Sequence, residues 1–219
     1  MTTFNIPLTE SISSEEELLN SQVVPETFRL YLTDEVTPEI ATSLVEQFYK
    51  VEEINTQLVD TVIPITLIIN SPGGDLPSAV MICAVMNEIE TPVHCKCLGQ
   101  ACSAAFMIFM NGEYGHRYTC SSAQFMSHRL STSIAGSHSE LKYHGAEMDR
   151  LHNRIVNHYI KCTGLPKKII NEELLTGHDV WLSAAECIKY KVVDKILNLE
   201  SKHATKQRRN ERSGTKKRR

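Results

Sequence analysis

No stretch of this 219-residue chain is apolar for long enough to cross a membrane. The N-terminal region, with Glu15-Glu16-Glu17, lacks the charged-then-apolar pattern of a signal peptide. Together these absences predict a protein of the cytoplasm with no membrane partner. There is no CxxC pair, so the common cysteine spacing of a structural zinc site is missing. The seven cysteines are odd in number and lie mostly inside apolar segments, which favours reduced core thiols over a disulfide framework. Cys95 and Cys97, with His94 beside them, could suggest a metal. Alternate residues of a strand simply share one face, so packing is the preferred reading and no metal is expected. Internal repeats are also absent, and the length suits one well-buried domain.

What is present is an ordinary globular composition, 42% hydrophobic and 22% charged. The net charge of −3 hides a division. Residues 201–219 carry nine Lys or Arg against Glu211, a balance of +8, which leaves −11 on the rest. Residues 1–27 are polar and Ser/Glu-rich and read as a flexible arm with at most one short helix. Residues 198–219 read as a disordered basic tail that can dock on an anionic partner. Between them, strand and helix patterns alternate. Strands are expected at 28–32, 65–69, 93–98, 123–128 and 192–197. Helices are expected from Pro38 to about 54, from Asp75 or Ser78 to Glu90, over 103–111, and from Glu140 to Cys162. Ser183-Ala184-Ala185-Glu186 is a capping box opening a short last helix. This alternation predicts an α/β layered domain of βαβ units.

Two segments place small residues directly after an apolar run: Asn70-Ser71-Pro72-Gly73-Gly74-Asp75, and Gly99-Gln100-Ala101-Cys102-Ser103-Ala104-Ala105. Gly73 and Gly74 leave two backbone N–H groups open to a ligand. Ser103 stands where a strand turns into an Ala-rich helix, a setting that exposes a nucleophile and favours developing negative charge. The Ala104 N–H would then face an oxyanion, and Gly74 can supply a second donor if the two strands are neighbours. Most serines in such a segment are helix caps. Of nine histidines, His128 is the one at a strand end before a flexible connector. His116 and His178 sit in turns, while His138, His144, His152 and His158 belong to the long helix and read as solvated or interface residues. For an orienting acid, Asp179 in the loop Thr176–Leu182 ranks first but weakly. Asp75 would repel an oxyanion, Asp149 lies mid-helix, and Asp194 lies at the last strand turn.

Four motifs occur in one order: Asn70-Ser71-Pro72-Gly73-Gly74, Gly99-Gln100-Ala101-Cys102-Ser103-Ala104, Phe125-Met126-Ser127-His128, and Asp179-Val180-Trp181-Leu182-Ser183-Ala184-Ala185-Glu186. Over residues 28–197 the chain resembles the Clp protease proteolytic subunit family (ClpP). The resemblance implies a ClpP/crotonase-like twisted β/α core of ββα units with a protruding strand–helix handle, here about 129–162. It implies a serine endopeptidase with Ser103 as nucleophile, His128 as base then acid, Asp179 as orienting carboxylate, and Gly74 and Ala104 as oxyanion donors. It also implies heptameric rings stacked in pairs, substrates that are unfolded polypeptides held by strand addition, and an AAA+ unfoldase partner. That partner, not this subunit, would use ATP; no cofactor is implied here.

The chain departs from the family at Cys102, at Arg129-Leu130 where Gln-Pro is usual, and in a segment before Asp179 about two residues longer. Other readings stand beside this one: a viral capsid-maturation peptidase on the same fold in host-cell cytoplasm, an inactive ring subunit, and a crotonase-type acyl-CoA enzyme. The last would use the oxyanion N–H groups but has no need of Ser103 with His128.

Overall fold

The computed structural model describes residues 26–59, 61–130 and 135–198. The arm before residue 26, the tail after 198 and part of the connector after His128 lie outside these, and so do the expectations of flexibility and disorder placed on them. Strands β1 (Phe28–Leu32), β2 (Ile65–Ser71), β3 (Val93–Cys102) and β4 (Arg117–Cys120) pair side by side and parallel. The parallel strands are joined through helices, which gives the mixed α/β architecture of a mostly parallel sheet. β5 (Gln124–Ser127) lies parallel to the last three residues of β3. β6 (Val180–Ser183) pairs antiparallel with β5, and β7 (Lys195–Leu197) runs parallel beside β4.

Strand alternation decides the core. Leu30, Leu67, Ile69, Cys95 and Cys97 face inward and are fully buried. Arg29, Thr66, Ile68, His94 and Lys96 emerge on the other face, half-buried. His94 stacks on His116 there, with ring centroids 4.0 Å apart, and burial pushes its pKa down to about 4. The sheet therefore separates His94 from Cys95 and Cys97. Among the described residues no group of three or more His, Cys, Asp or Glu could hold a metal. All seven cysteines are free thiols.

Helix α1 (Pro38–Gln57) starts as its sequence dictates, with Thr37 Oγ1 accepting from the Ile40 N–H at 3.3 Å and proline at the first position. Helix α2 (Leu76–Glu88) is capped by Asp75, which accepts from the Ser78 N–H at 2.8 Å and the Ser78 hydroxyl at 2.6 Å. It stops two residues before the expected Glu90, because the Glu52 carboxylate of α1 takes the N–H groups of Glu90 and Thr91. Helix α3 (Ala104–Met110) is buried along its whole length. Helix α4 (His138–Thr163) opens with a Ser137/Glu140 capping box and ends at Gly164 in the left-handed conformation, φ 67°. Its first turns, residues 138–146, are exposed, Leu141 and Tyr143 included, and Ile155, Val156 and Tyr159 reach the core. None of the described helices is long and apolar enough to cross a membrane.

Several elements differ from the sequence-based expectations. β3 runs on to Cys102 rather than stopping at Leu98, since its far end pairs with Ser71 and with β5. β4 was not foreseen; it contains a fully buried arginine that hides its apolar pattern. A helical segment α5 (Lys167–Ile169), continuing as a π-helical turn through Leu174, fills a stretch for which no element is expected from the sequence. Val180–Leu182 is strand, not loop, because β5 offers it a pairing edge. The last strand begins at Lys195, not Val192; Val192 and Val193 are core residues outside the ladder. Helix α6 (Ala184–Lys189) follows its capping box as expected.

Asp194 explains that shortened strand. Its carboxylate grips Arg117, which is 1% exposed, through Nη2 at 2.6 Å and Nε at 2.8 Å. It also accepts from the backbone N–H groups of Gly115 and Arg117, both at 2.9 Å. Nη1 of Arg117 donates to the Cys162 carbonyl of α4 at 2.9 Å. Although burial opposes it, the bonds from Arg117 hold the Asp194 carboxyl below its ordinary pKa. A depressed pKa means stabilisation that is present above the ordinary carboxylate range and lost as pH falls through the folded value. Asp194→Ala leaves Arg117 buried and uncompensated, and is expected to lower unfolding stability by about 3–5 kcal/mol in urea titrations at neutral pH. The difference from the parent protein should shrink on acidification.

Candidate active site

β2 and β3 end side by side, and their ends are pressed together. A Cβ on Gly73 would stand 2.5 Å from the Cys102 carbonyl oxygen, 2.9 Å from Ser103 Cβ and 3.0 Å from the Ala104 nitrogen. Gly73 also has φ +95°, so glycine is required there on two counts. The register between the strands shifts, with Ile69 opposite Cys97 but Ser71 opposite Ala101. Asn70 fills the resulting bulge by accepting the Gln100 N–H at 3.1 Å. Gly99 is needed because a Cβ there would meet Asn70 Oδ1 at 2.2 Å.

The expectation of two open N–H groups is half corrected. The Gly73 N–H is taken by Ser71 Oγ at 3.2 Å. Gly74 forms a parallel bridge with Val36, but that bridge uses the Gly73 carbonyl and the Asp75 N–H, leaving the Gly74 N–H directed to the other side. Ala104 is the first residue of α3, where helical N–H groups have no intrahelical acceptor. Gly74 and Ala104 line the same cleft as Ser103 and His128.

Ser103 itself is held at φ 53°, ψ −118°, a sparsely populated conformation for a non-glycine residue. Its N–H donates to the Met126 carbonyl at 2.8 Å, which ties the turn to β5. Its Oγ lies 2.6 Å from His128 Nε2. His128 leaves β5 directly after Ser127, and Ser127 is paired with Val180 of β6. The antiparallel pairing makes His128 and Asp179 leave the sheet at the same end. His128 Nδ1 and Asp179 Oδ1 are 3.7 Å apart, an ion-pair rather than a hydrogen-bond distance. The Asp179 side chain is 56% exposed and that of His128 29%.

The other candidates have structural places. Asp75 caps α2 and Asp194 grips Arg117. Asp149 is exposed on α4. His152 and His158, read from sequence as solvated or interface residues, are half-buried and bonded inside the fold. His152 Nε2 meets Asn171 Oδ1 at 3.0 Å, and His158 Nε2 meets the Met107 carbonyl at 3.0 Å. Cys102 is buried, which raises its thiol pKa and makes it a poor nucleophile beside the serine. Sequence reasoning includes Asn70 and Gly99 in its motifs but gives them no role of their own, and it does not reach the buried contact of Ser127 Oγ with Tyr159 Oη at 2.8 Å. A polar residue in an inward register position of β5 was the one available signal for that contact.

The cleft at Ser103 measures about 160 Å³, and Leu76, Met107, Leu130, Ile155 and Tyr159 form its apolar wall. A hydroxyl within hydrogen-bond reach of an imidazole, beside two backbone N–H groups and an apolar hollow, can carry out acyl transfer. Gly73→Ala is expected to destabilise the protein by about 1–3 kcal/mol and to displace Ser103. Both effects are measurable, as an unfolding midpoint and as loss of serine-directed labelling in the still-folded protein. In a comparison with known families, the model described as Clp protease matches residues 14–200.

Proposed function

The chain belongs to the Clp protease family, a family of serine peptidases, and from that premise we propose that it cleaves peptide bonds with Ser103, His128 and Asp179. The observation that carries this reading is the 2.6 Å contact between Ser103 Oγ and His128 Nε2. The substrate carbonyl enters the cleft with its oxygen towards the N–H groups of Gly74 and Ala104. Ser103 Oγ attacks the carbonyl carbon while His128 Nε2 takes its proton. The tetrahedral oxyanion is stabilised by the two N–H groups, whose positions are set before the reaction begins. As the intermediate collapses, His128 returns the proton to the leaving amine. Water then repeats the sequence on the acyl-enzyme. Asp179 faces Nδ1 of His128 and favours the tautomer and charge that the step requires, and at 3.7 Å it acts chiefly through its charge.

The apolar wall of Leu76, Met107, Leu130 and Ile155 suits an apolar side chain immediately before the cleaved bond. The exposed first turns of α4, with Leu141 and Tyr143 uncovered, suit a handle that interlocks with other copies in stacked rings. Within such a barrel the substrates are unfolded polypeptides, delivered by an AAA+ unfoldase that supplies the ATP-dependent step. The basic tail after residue 200 adds a site for an anionic partner.

A fluorophosphonate probe is expected to label the full chain once, at Ser103, and not to label Ser103→Ala. Labelling that persists in that variant would overturn the assignment. Asp179→Asn should lower kcat by about 10²–10⁴-fold on a small peptide substrate, and an unchanged rate would remove Asp179 from the mechanism. Light scattering should show an assembly, and hydrolysis of an unfolded protein, unlike that of short peptides, should depend on an added unfoldase with ATP. Peptides with Leu or Met before the scissile bond should be cut faster than those with Asp or Lys.

A further inference from the structure

One turn of α4 is bonded to both elements that carry the reactive pair, α3 behind Ser103 and the end of β5 before His128. His158 Nε2 meets the Met107 carbonyl on α3, the helix that Ser103 opens. Tyr159 Oη meets Ser127 Oγ at 2.8 Å, on the residue directly before His128. Ser127 is fully buried and Tyr159 is 2% exposed, so neither hydroxyl has water to fall back on. Thr163 Oγ1 bonds the Tyr159 carbonyl at 2.6 Å, which fixes the turn itself. The Tyr159 ring also lies against Phe106 of α3, centroids 6.0 Å apart.

The Ser127–Val180 pair is the last rung of the β5–β6 ladder. Beyond it stand His128 and Asp179, and the gap of 3.7 Å between them shows that their mutual contact is too long to set the imidazole by itself. The His128 backbone continues from that rung, and Ser127 of the rung is tied to α4 by a buried side-chain hydrogen bond. We propose that Tyr159, acting through Ser127, is a positioning residue that sets where His128 stands relative to Ser103. The seating of α4 on the core is thereby read out at the base. Tyr159 touches no reacting atom. Its ring contributes to the cleft wall, while its hydroxyl, pointed away at Ser127, performs the positioning.

This inference rests on the serine-peptidase reading, and the test separates the two. Tyr159→Phe keeps the ring and removes the hydroxyl; Ser127→Ala removes its partner; the double variant removes both and leaves no buried polar group unpaired. All are made in the full chain, and kcat and KM are measured on a short peptide, with fluorophosphonate labelling as control. Each single variant should lose roughly tenfold in kcat with KM held within about twofold, since small displacements of a catalytic group are costly to rate. The double variant should remain as slow as the singles, because all three lose the same contact. A hydrogen bond that serves stability alone would lower the unfolding midpoint but leave kcat of the folded protein at the parent value, and that result overturns the proposal. So does a double variant restored to the parent kcat, or losses that multiply. Should an orphaned hydroxyl keep a single variant from folding, the double variant decides. Parent protein that the probe does not label would instead sink the peptidase reading.

Discussion

A side chain at residue 73 has nowhere to go: its Cβ would meet the Cys102 carbonyl at 2.5 Å. That exclusion lets the end of β2 pass close beside the turn at Ser103, and it sets the distances of everything near it. The Gly74 N–H and the Ala104 N–H share a cleft only because the two backbones are this close. The bulge opposite Asn70 serves the same end, since it lets β3 advance four residues from Cys97 to Ala101 while β2 advances two. The forked sheet continues the effect. β3 gives its first half to β4 and its last residues to β5, and β5 carries His128 towards the serine.

The Arg117–Asp194 pair does comparable service far from the cleft. It joins β4 to the segment before β7 and, through the Cys162 carbonyl, to the buried end of α4. A buried ion pair is weak evidence of net stability when compared with a well-packed apolar substitute. Here it also satisfies two backbone N–H groups at the Gly115 turn, which an apolar replacement could not. Its value is in fixing where α4 sits. The helix that holds Tyr159 against Ser127 and His158 against Met107 is thus anchored one turn further on by a contact of different chemistry.

Much of this was readable from the sequence. Thr37-Pro38, Asp75, Ser183 with Glu186, and Gly164 mark helix ends by local chemistry, and the ends lie at or within a residue of those marks. Ser103 and His128 stood out because each follows an apolar run and precedes a change of structure, and the structure brings the two together. What escaped notice depends on contacts distant along the chain. β4 hides behind Arg117, whose burial makes sense only once Asp194 is beside it. Val180–Leu182 has the look of a loop until β5 offers an edge. The Gly-Gly pair is identifiable as a turn, but only packing shows that Gly73 is there to be close to Ser103 while Gly74 carries the open N–H. Ser127 and Tyr159 are 32 positions apart, and neither residue alone announces the other.

The conformation of Ser103 has a consequence for how such a chain is kept by selection. At φ 53°, ψ −118° the residue sits where any side chain costs about 1–3 kcal/mol, and glycine would sit without strain. Mutational drift that is filtered only for folding therefore runs downhill, away from the hydroxyl and towards glycine. Serine at this position therefore carries a folding cost that glycine would not.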